Sequence, residues 1–284
     1  MGTRIAIEVG GRELEVSSLD RILWPNVGFT KGDALRYYAD IAPTMVERIA
    51  GRPLTLKRAP HGIAGEWWYQ TECPHAPGWI RTVPVPNARG DKTWQQCVVD
   101  EPAAIVWLAN LGCLEFHPLM TRGTDLDRPV ELVFDLDPGV QTGLLGAAHV
   151  ALALRGRLTD RGIDCAVKSS GMMGLHVTVD LDGTTTFAES KALAGEVAAE
   201  VASDSDVPVT TSRHAARDDA VLIDVAQNGR YRSVVAPFSL RLNALPLVAA
   251  PLAWTEVDRA VTARDAASLL ITPEDALARS RALQ

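Results

Sequence analysis

VELVFDLDPG at 130–139 decides how the chain is read. Val130 to Phe134 is an apolar, β-branched and aromatic run that reads as a strand, and it ends in Asp135-Leu136-Asp137-Pro138-Gly139, two acids and a turn signal. Two residues apart on extended backbone, the carboxylates of Asp135 and Asp137 leave the same face. Downstream, 143–159 is Ala- and Leu-rich and reads as a helix. Segments 164–168 and 175–179 read as strands broken by Ser169-Ser170-Gly171, 187–202 as a second helix, and 221–225 as a further strand. Strand, helix, strand, strand, helix, strand is the split βαβ order of a ferredoxin-like or RNA-recognition-like sheet. The first and last strands of such a unit lie close, which predicts that Asp224, in VLIDVAQN, joins Asp135 and Asp137 in a triad.

Upstream, alternation over 4–16 around Gly10-Gly11 predicts a hairpin. Thr30 is a predicted N-cap for a helix over 31–49, where Pro43 predicts a kink or a division into two shorter helices. A strand is expected at 53–58, a loop-rich stretch from Pro60 to Pro86, a helix at 102–111 and a strand at 114–117. Beyond the triad unit, 233–235 reads as another strand and 273–282 as a closing helix. The expected class is α+β, with a mixed α/β N-terminal lobe over about 1–120 and a catalytic lobe over about 121–284.

Composition narrows the partners. No apolar run approaches the roughly 18 residues that span a bilayer, and the N-terminus spreads charges every few residues, unlike a secretory signal. A cytoplasmic protein with no membrane partner is expected. Cys73, Cys97, Cys113 and Cys165 form no CxxC pair, so neither a zinc ribbon nor a disulfide framework is suggested. Cys73-Pro74-His75 resembles half a metal site, but no second pair follows. The net charge of −7 argues against coating nucleic acid by bulk electrostatics, but not against gripping a strand end locally.

Two adjacent carboxylates repel each other unless a cation lies between them, so a divalent metal is the natural partner of Asp135 and Asp137. A solvated strand end with a Pro-Gly turn is the alternative, and a buried acid at Asp224, which needs a partner, weighs against it. KSSGMMGLHV at 168–177 has a Gly-flanked turn whose backbone N–H groups suit phosphate oxygens, with Lys168, Ser169 and His176 as added donors. A plain hairpin is the other reading of that turn. Arg213, His214 and Arg217 form one basic set, and Arg230, Arg232 and Arg241 a second. Trp67-Trp68-Tyr69 are either base-stacking aromatics or core, and His117 is either a core histidine or a site contact. His61, His75 and His149 carry no assigned role.

FDLDPG, KSSGMMGLHV, LIDVAQN and APFSLR occur in the order seen in the polymerase domain of bacterial DNA ligase D (LigD), of the archaeo-eukaryotic primase superfamily. RILWPNVGFTKGDALRYY, GRPLTLKRAPHGI and PLAWTEV resemble further segments of that family, so the resemblance covers roughly residues 15 to 280. It implies a primase-type fold in which an RNA-recognition-like catalytic lobe packs on the mixed N-terminal lobe. It also implies a primase-polymerase using two divalent cations (Mn²⁺ or Mg²⁺) and NTP or dNTP substrates, often preferring ribonucleotides. Gapped or broken-end DNA is the implied partner, in repair and non-homologous end joining in the bacterial cytoplasm, at the nucleoid. Carried over, Asp135, Asp137 and Asp224 match metal ligands and catalytic acids, and Lys168 lies in the matching Gly-turn segment. Ser169, His176, Gln227 and Arg241 match residues that hold the nucleotide, and His117 a histidine beside the active site. Arg21 and Lys31 match positions that grip a 5′-phosphate across a gap; Trp68 and Tyr69 match an aromatic pair on the template base.

Three positions depart from the family. Met172-Met173 replace a common basic residue in the Gly-turn, Thr71 stands for a usual lysine, and Arg21 for a lysine of the same charge. The chain carries no ligase or phosphoesterase segment, which leads to the expectation of a separate polypeptide with a DNA ligase and an end-binding protein as partners in trans. Two other functions fit parts of the sequence. FDLDPGV resembles the nucleophile motif of haloacid-dehalogenase-type phosphatases, with Lys168 and Asp218-Asp219 as later motifs, although Pro138 and the long preceding segment without a Rossmann start oppose it. A non-catalytic DNA-end-binding module that recruits a ligase is suggested by the altered turn and Thr71, and opposed by the intact triad.

Overall fold

The computed structural model describes residues 4–213 and 218–282. In chain order the elements are β1 (Arg4–Val9), β2 (Arg12–Ser17), β3 (Ile22–Trp24), β4 (Phe29–Thr30), α1 (Lys31–Ile49), β5 (Leu54–Arg58), β6 (Trp68–Gln70), β7 (Arg81–Pro86) and β8 (Thr93–Val98). Then follow α2 (Pro102–Asn110), β9 (Cys113–Pro118), β10 (Glu131–Pro138), α3 (Gly143–Thr159), β11 (Ala166–Ser169), β12 (Leu175–Asp180), α4 (Phe187–Asp204), β13 (Val209–Thr210) and β14 (Val221–Asp224). β15 (Ser239–Leu240), β16 (Val248–Ala249), β17 (Pro251–Leu252), α5 (Trp254–Ala263), a 3₁₀ turn (Ala266–Leu269) and α6 (Pro273–Ala282) complete the chain. Two compact units result. The first comprises Met1–Thr124, Ser233–Val248 and Thr272–Gln284, the second Asp125–Arg232 and Ala249–Ile271. A single division near residue 120 was expected; segments 233–248 and 272–284 instead cluster with the first unit.

The second unit is the split βαβ sheet in the strand order β13-β14-β10-β12-β11-β17. β10 lies inside it, antiparallel to β12 on one side and to β14 on the other. Phe134 and Leu136 of β10 are fully buried, and α3 and α4 both pack on that strand. The strand runs through Asp135 and Asp137 to Pro138. Beyond the last β10–β14 pair, the Asn228 amide takes the place of a neighbouring strand: it accepts from Val133 N at 2.8 Å and donates to Val133 O at 2.7 Å.

In the first unit, α1 is one continuous helix through Pro43. A capping box starts it, with Asp33 N donating to Thr30 Oγ1 and Thr30 N to Asp33. Burial of Ala34, Tyr38, Ile41, Ala42 and Met45 on one stripe outweighs the hydrogen bond that Pro43 cannot make. β5, β6 and β9 form a three-stranded sheet. Residues 81–98 form a hairpin where loop was expected up to Pro86; Pro84 and Pro86, two apart, place their missing N–H groups along one edge of the strand. Residues 233–235 form no strand, only a bridge between Ser233 and Leu119. The helix at 254–263 was also not read from the sequence.

The cysteines correct the sequence reading. Cys73 and Cys97 are bridged, with Cα atoms 4.9 Å apart, while Cys113 and Cys165 are free. Spacing gave no hint, because the loop that pairs Cys73 N with Gln95 O brings the two together. Loss of this bridge in Cys73→Ser is expected to cost about 3 kcal/mol in denaturant unfolding, since it closes a loop of moderate length. Unreduced, denatured protein should titrate the two thiols of Cys113 and Cys165; four titrating thiols would show the bridge absent.

Candidate active site

Register builds a row of chemistry across the second-unit sheet. Asp135 of β10 lies opposite Asp224 of β14 and opposite His176 of β12, and His176 lies opposite Lys168 of β11. Directly opposed residues share a face, and Asp137 shares it by strand alternation. Two acids facing each other inside a sheet need compensation. His176 supplies it on one side, with Nε2 3.1 Å from Asp135 Oδ1. On the other, the Arg213 guanidinium pairs with Asp224, whose second oxygen accepts from Ala226 N at 2.9 Å. The hydrogen bond to Asp224 raises Arg213 above its ordinary value, and the charges of Asp135 and Asp137 add to the effect. All three acids therefore act on one cation. His214 and Arg217 of the same basic set lie outside the described residues.

Asp224 is 5% exposed and His176 4%. Among the described residues no three acidic, histidine or cysteine side chains converge as an ion-binding cluster as they stand; Asp224 is engaged by Arg213 and Asp135 by His176. The donor set still suits a hard cation: three carboxylates on one face, two at facing positions, with an exposed cationic side chain already drawn to them.

The Gly-turn is organised differently from the expectation. Three of its amides are engaged within the turn: Gly171 N donates to Ser169 Oγ at 3.0 Å, and Met172 N and Gly174 N donate to Ser170 Oγ at 3.2 Å each. A Cβ on Gly174 would fall 2.2 Å from Leu136 O, so the turn presses against β10 and requires glycine there. Lys168 and Ser169 are buried, Gln227 is half-buried, and Met173 is exposed.

His117 and Arg241 belong to the first unit, around a residue the sequence reading passed over. Glu115, fully buried, sits beside His117 on β9 and opposite Lys57 of β5. Its Oε1 accepts from Lys57 Nζ at 3.0 Å and Leu242 N at 2.8 Å; Oε2 lies 2.9 Å from His117 Nε2 and 3.3 Å from Arg241 Nε. Burial alone would raise this carboxyl, but the His117 hydrogen bond and the charges of Arg241, His117 and Lys57 override it and hold it at about 2. Burial pushes His117 below the ordinary imidazole range, against the opposing pull of Glu115. The sequence signal was present: acids are rarely fully buried unless paired, and Glu115 lies within LEFHP.

The aromatic run divides. Trp68 and Tyr69 are consecutive strand residues and face opposite sides of their sheet. Tyr69 instead meets Trp67, centroids 5.9 Å apart, and His117 at 5.6 Å, with Lys57 under the Trp67 ring at 4.4 Å. Trp68 covers Arg58 at 5.3 Å. Arg21 and Lys31 are joined by the hydrogen bond from Lys31 N to Arg21 O, 2.7 Å. Lys31 Nζ donates to Ser17 O at 2.8 Å and Asn110 Oδ1 at 2.7 Å, while Arg21 donates to Pro60 O. Burial, and then the Arg21 charge, lower Lys31 to about 8.

The strand bearing FDLDPG is antiparallel to both neighbours, which opposes the doubly wound parallel sheet that a haloacid-dehalogenase-type phosphatase requires. No helix among the described residues is long and apolar enough to cross a membrane. The model of the family described as "LigD, primase-polymerase domain" matches residues 30–280. The multifunctional non-homologous end joining DNA repair protein LigD of Mycobacterium tuberculosis is 33% identical over 257 residues, covering 87% of this chain and 34% of that protein. The bifunctional non-homologous end joining protein LigD of Bacillus subtilis is 28% identical over 254 residues, covering 88% of this chain and 40% of that protein. The chain thus spans well under half the length of these relatives. Among solved structures, the polymerase domain of Mycobacterium tuberculosis ligase D in complex with DNA superposes with a TM-score of 0.86 at 30% identity, covering 95% of this chain and 94% of that one. Sheet order, the facing acids and these matches agree: the chain belongs to the LigD primase-polymerase domain family.

Proposed function

We propose that this chain is a metal-dependent nucleotidyltransferase that adds nucleotides, preferentially ribonucleotides, to strand ends at DNA gaps or breaks during end joining. The observation that carries the proposal is Asp135 facing Asp224 across one ladder, with Asp137 on the same face and a cation drawn to all three. Asp135, Asp137 and Asp224 would hold Mn²⁺ or Mg²⁺. Bound there, such ions lower the pKa of an attacking hydroxyl and neutralise charge on the leaving pyrophosphate. His176 orients Asp135. Lys168, Ser169 and Gln227 are assigned to the nucleotide, and so, from the family resemblance, are His117 and Arg241. Arg21 and Lys31 are assigned to a downstream 5′-phosphate, and Trp68 and Tyr69 to the template. That a family neighbour is in complex with DNA supports a gapped or broken duplex as substrate. A ligase and an end-binding protein are the partners proposed in trans.

Extension of a labelled primer across a short 5′-phosphorylated gap is expected with Mn²⁺ or Mg²⁺, faster with ribonucleotides. Asp135→Ala/Asp137→Ala should abolish it without releasing DNA. Gapped DNA bound by wild-type protein without extension would favour the recruiting module instead.

Arg213 and a metal ion compete for Asp224. Arg213→Ala is therefore expected to tighten Mn²⁺ binding, read by electron paramagnetic resonance of free Mn²⁺, by roughly fivefold, the scale of one partly exposed ion pair. Unchanged or weaker binding would remove Arg213 as a competitor.

Lys31 gives a pH signature. With its value lowered to about 8, its charge in the free protein is lost as pH rises through that point. A phosphomonoester, with second pKa near 6, is already dianionic over this range. The advantage of a 5′-phosphate over a 5′-hydroxyl in gap binding, measured by fluorescence anisotropy, should shrink about tenfold between pH 7 and 9. In Lys31→Arg, which stays charged, the advantage should hold level; a level profile in wild-type protein would dissociate Lys31 from the phosphate.

A further inference from the structure

In the first unit Arg4 pairs with Glu15, Arg12 with Glu101, Lys57 with Glu115 and Arg81 with Asp100. Lys31, in the same unit, is buried against neutral oxygens instead, with Nζ donating to Ser17 O at 2.8 Å and to Asn110 Oδ1 at 2.7 Å. Arg21, whose charge acts on Lys31, likewise donates to a carbonyl, Pro60 O. Among the described residues neither cation forms an ion pair. A carbonyl and an amide oxygen accept hydrogen bonds without cancelling charge. An ammonium has three N–H groups, so one donor and the whole positive charge remain for an anion. Burying a cation without a counter-charge is costly, which calls for a reason.

Asn110 is the last residue of α2, a helix with no charged side chain. Its amide spans two positions of β2: Nδ2 donates to Glu15 O at 2.9 Å, while Oδ1 accepts from Ser17 N at 3.4 Å as well as from Lys31. The bond to Glu15 O fixes which way the amide is turned, and with it the oxygen that Lys31 meets. We infer that Asn110 is the positioning residue of Lys31: its neutral oxygen, with Ser17 O, aims the ammonium at a 5′-phosphate and leaves its charge whole. The inference rests on the proposed assignment of Lys31 to that phosphate. An aspartate at position 110 would hold the lysine equally well but neutralise it, so the choice of amide over acid bears on anion binding rather than on packing.

The charged side chains around the ammonium are few. Glu13, Glu15 and Asp20 are exposed, Glu15 on Arg4, and Asp33 is taken up by the cap at Thr30 and by Arg36. Burial first, and Arg21 second, lower Lys31. Substitutions at Asn110 therefore act on a group with little other compensation. In Asn110→Ala the ammonium loses an acceptor and its charged form is harder to keep; in Asn110→Asp a carboxylate favours that form.

The test follows the advantage of a 5′-phosphate over a 5′-hydroxyl in gap binding, by fluorescence anisotropy, between about pH 7 and 10. Relative to wild-type protein, the decline of that advantage is expected about one pH unit lower in Asn110→Ala and about one unit higher in Asn110→Asp. At pH 7 Asn110→Asp should also reduce the advantage about fivefold, since the lysine charge is already answered. An Asn110 that only docks α2 on β2 predicts a common weakening with the decline unmoved. A decline that stays at the wild-type pH in either folded variant overturns the inference and leaves the assignment of Lys31 standing. Should the variants fail to fold, wild-type protein carries the test: the ¹³Cγ signal of Asn110, adjoining Oδ1, should titrate together with the 5′-phosphate advantage, and a signal that does not follow it overturns the inference. A wild-type advantage that is absent, or level with pH, removes the Lys31 assignment and the inference together.

Discussion

The ladder between β10 and β14 sets Asp135 directly against Asp224, and much of the second unit follows from the need to accommodate that pair. Like charges opposed across two strands destabilise a sheet, and these sit in its interior, where water screens little. The backbone cannot relieve the repulsion, because a slip of one residue would turn Phe134 and Leu136 out of the core. Relief comes from the flanking groups: His176 from the next strand and Arg213 from the preceding loop. Asn228 closes the ladder where β14 stops.

The first unit gathers buried charges around one acid. There a single buried carboxylate, Glu115, serves Lys57, Arg241 and His117. Asp135, Asp137, His176 and Asp224 sit on strands, as do Lys57, Glu115 and His117, so ladder hydrogen bonds fix the spacing of these groups.

Much of the fold was legible because its signals are local. Thr30 and Asp33 announce the start of α1, and the alternation of 4–16 announces a hairpin. The order of elements from 130 to 225 names the sheet, from which the approach of Asp224 to Asp135 follows. Legibility failed where a nonlocal partner overrides a local signal. Pro43 signals a break, but burial on the opposite stripe keeps α1 whole. Pro84 and Pro86 signal loop, yet both fit one edge of a hairpin.

The sequence by itself determined the chemistry available: three acids in two short motifs, a Gly-turn, basic residues at Arg21 and Lys31, and an aromatic run. Only the tertiary structure decided how those groups are engaged. It turned the Gly-turn amides inward onto Ser169 and Ser170, separated Trp68 from Tyr69, bridged Cys73 to Cys97 and gathered Lys57, His117 and Arg241 on Glu115. The physical reason is the range of the forces concerned. Hydrophobic periodicity and capping act over a few residues and are written along the chain. Hydrogen bonds and ion pairs join whatever the folded backbone brings within about 3 Å, and for Lys57 and Glu115 that proximity exists only once strands far apart in sequence have paired.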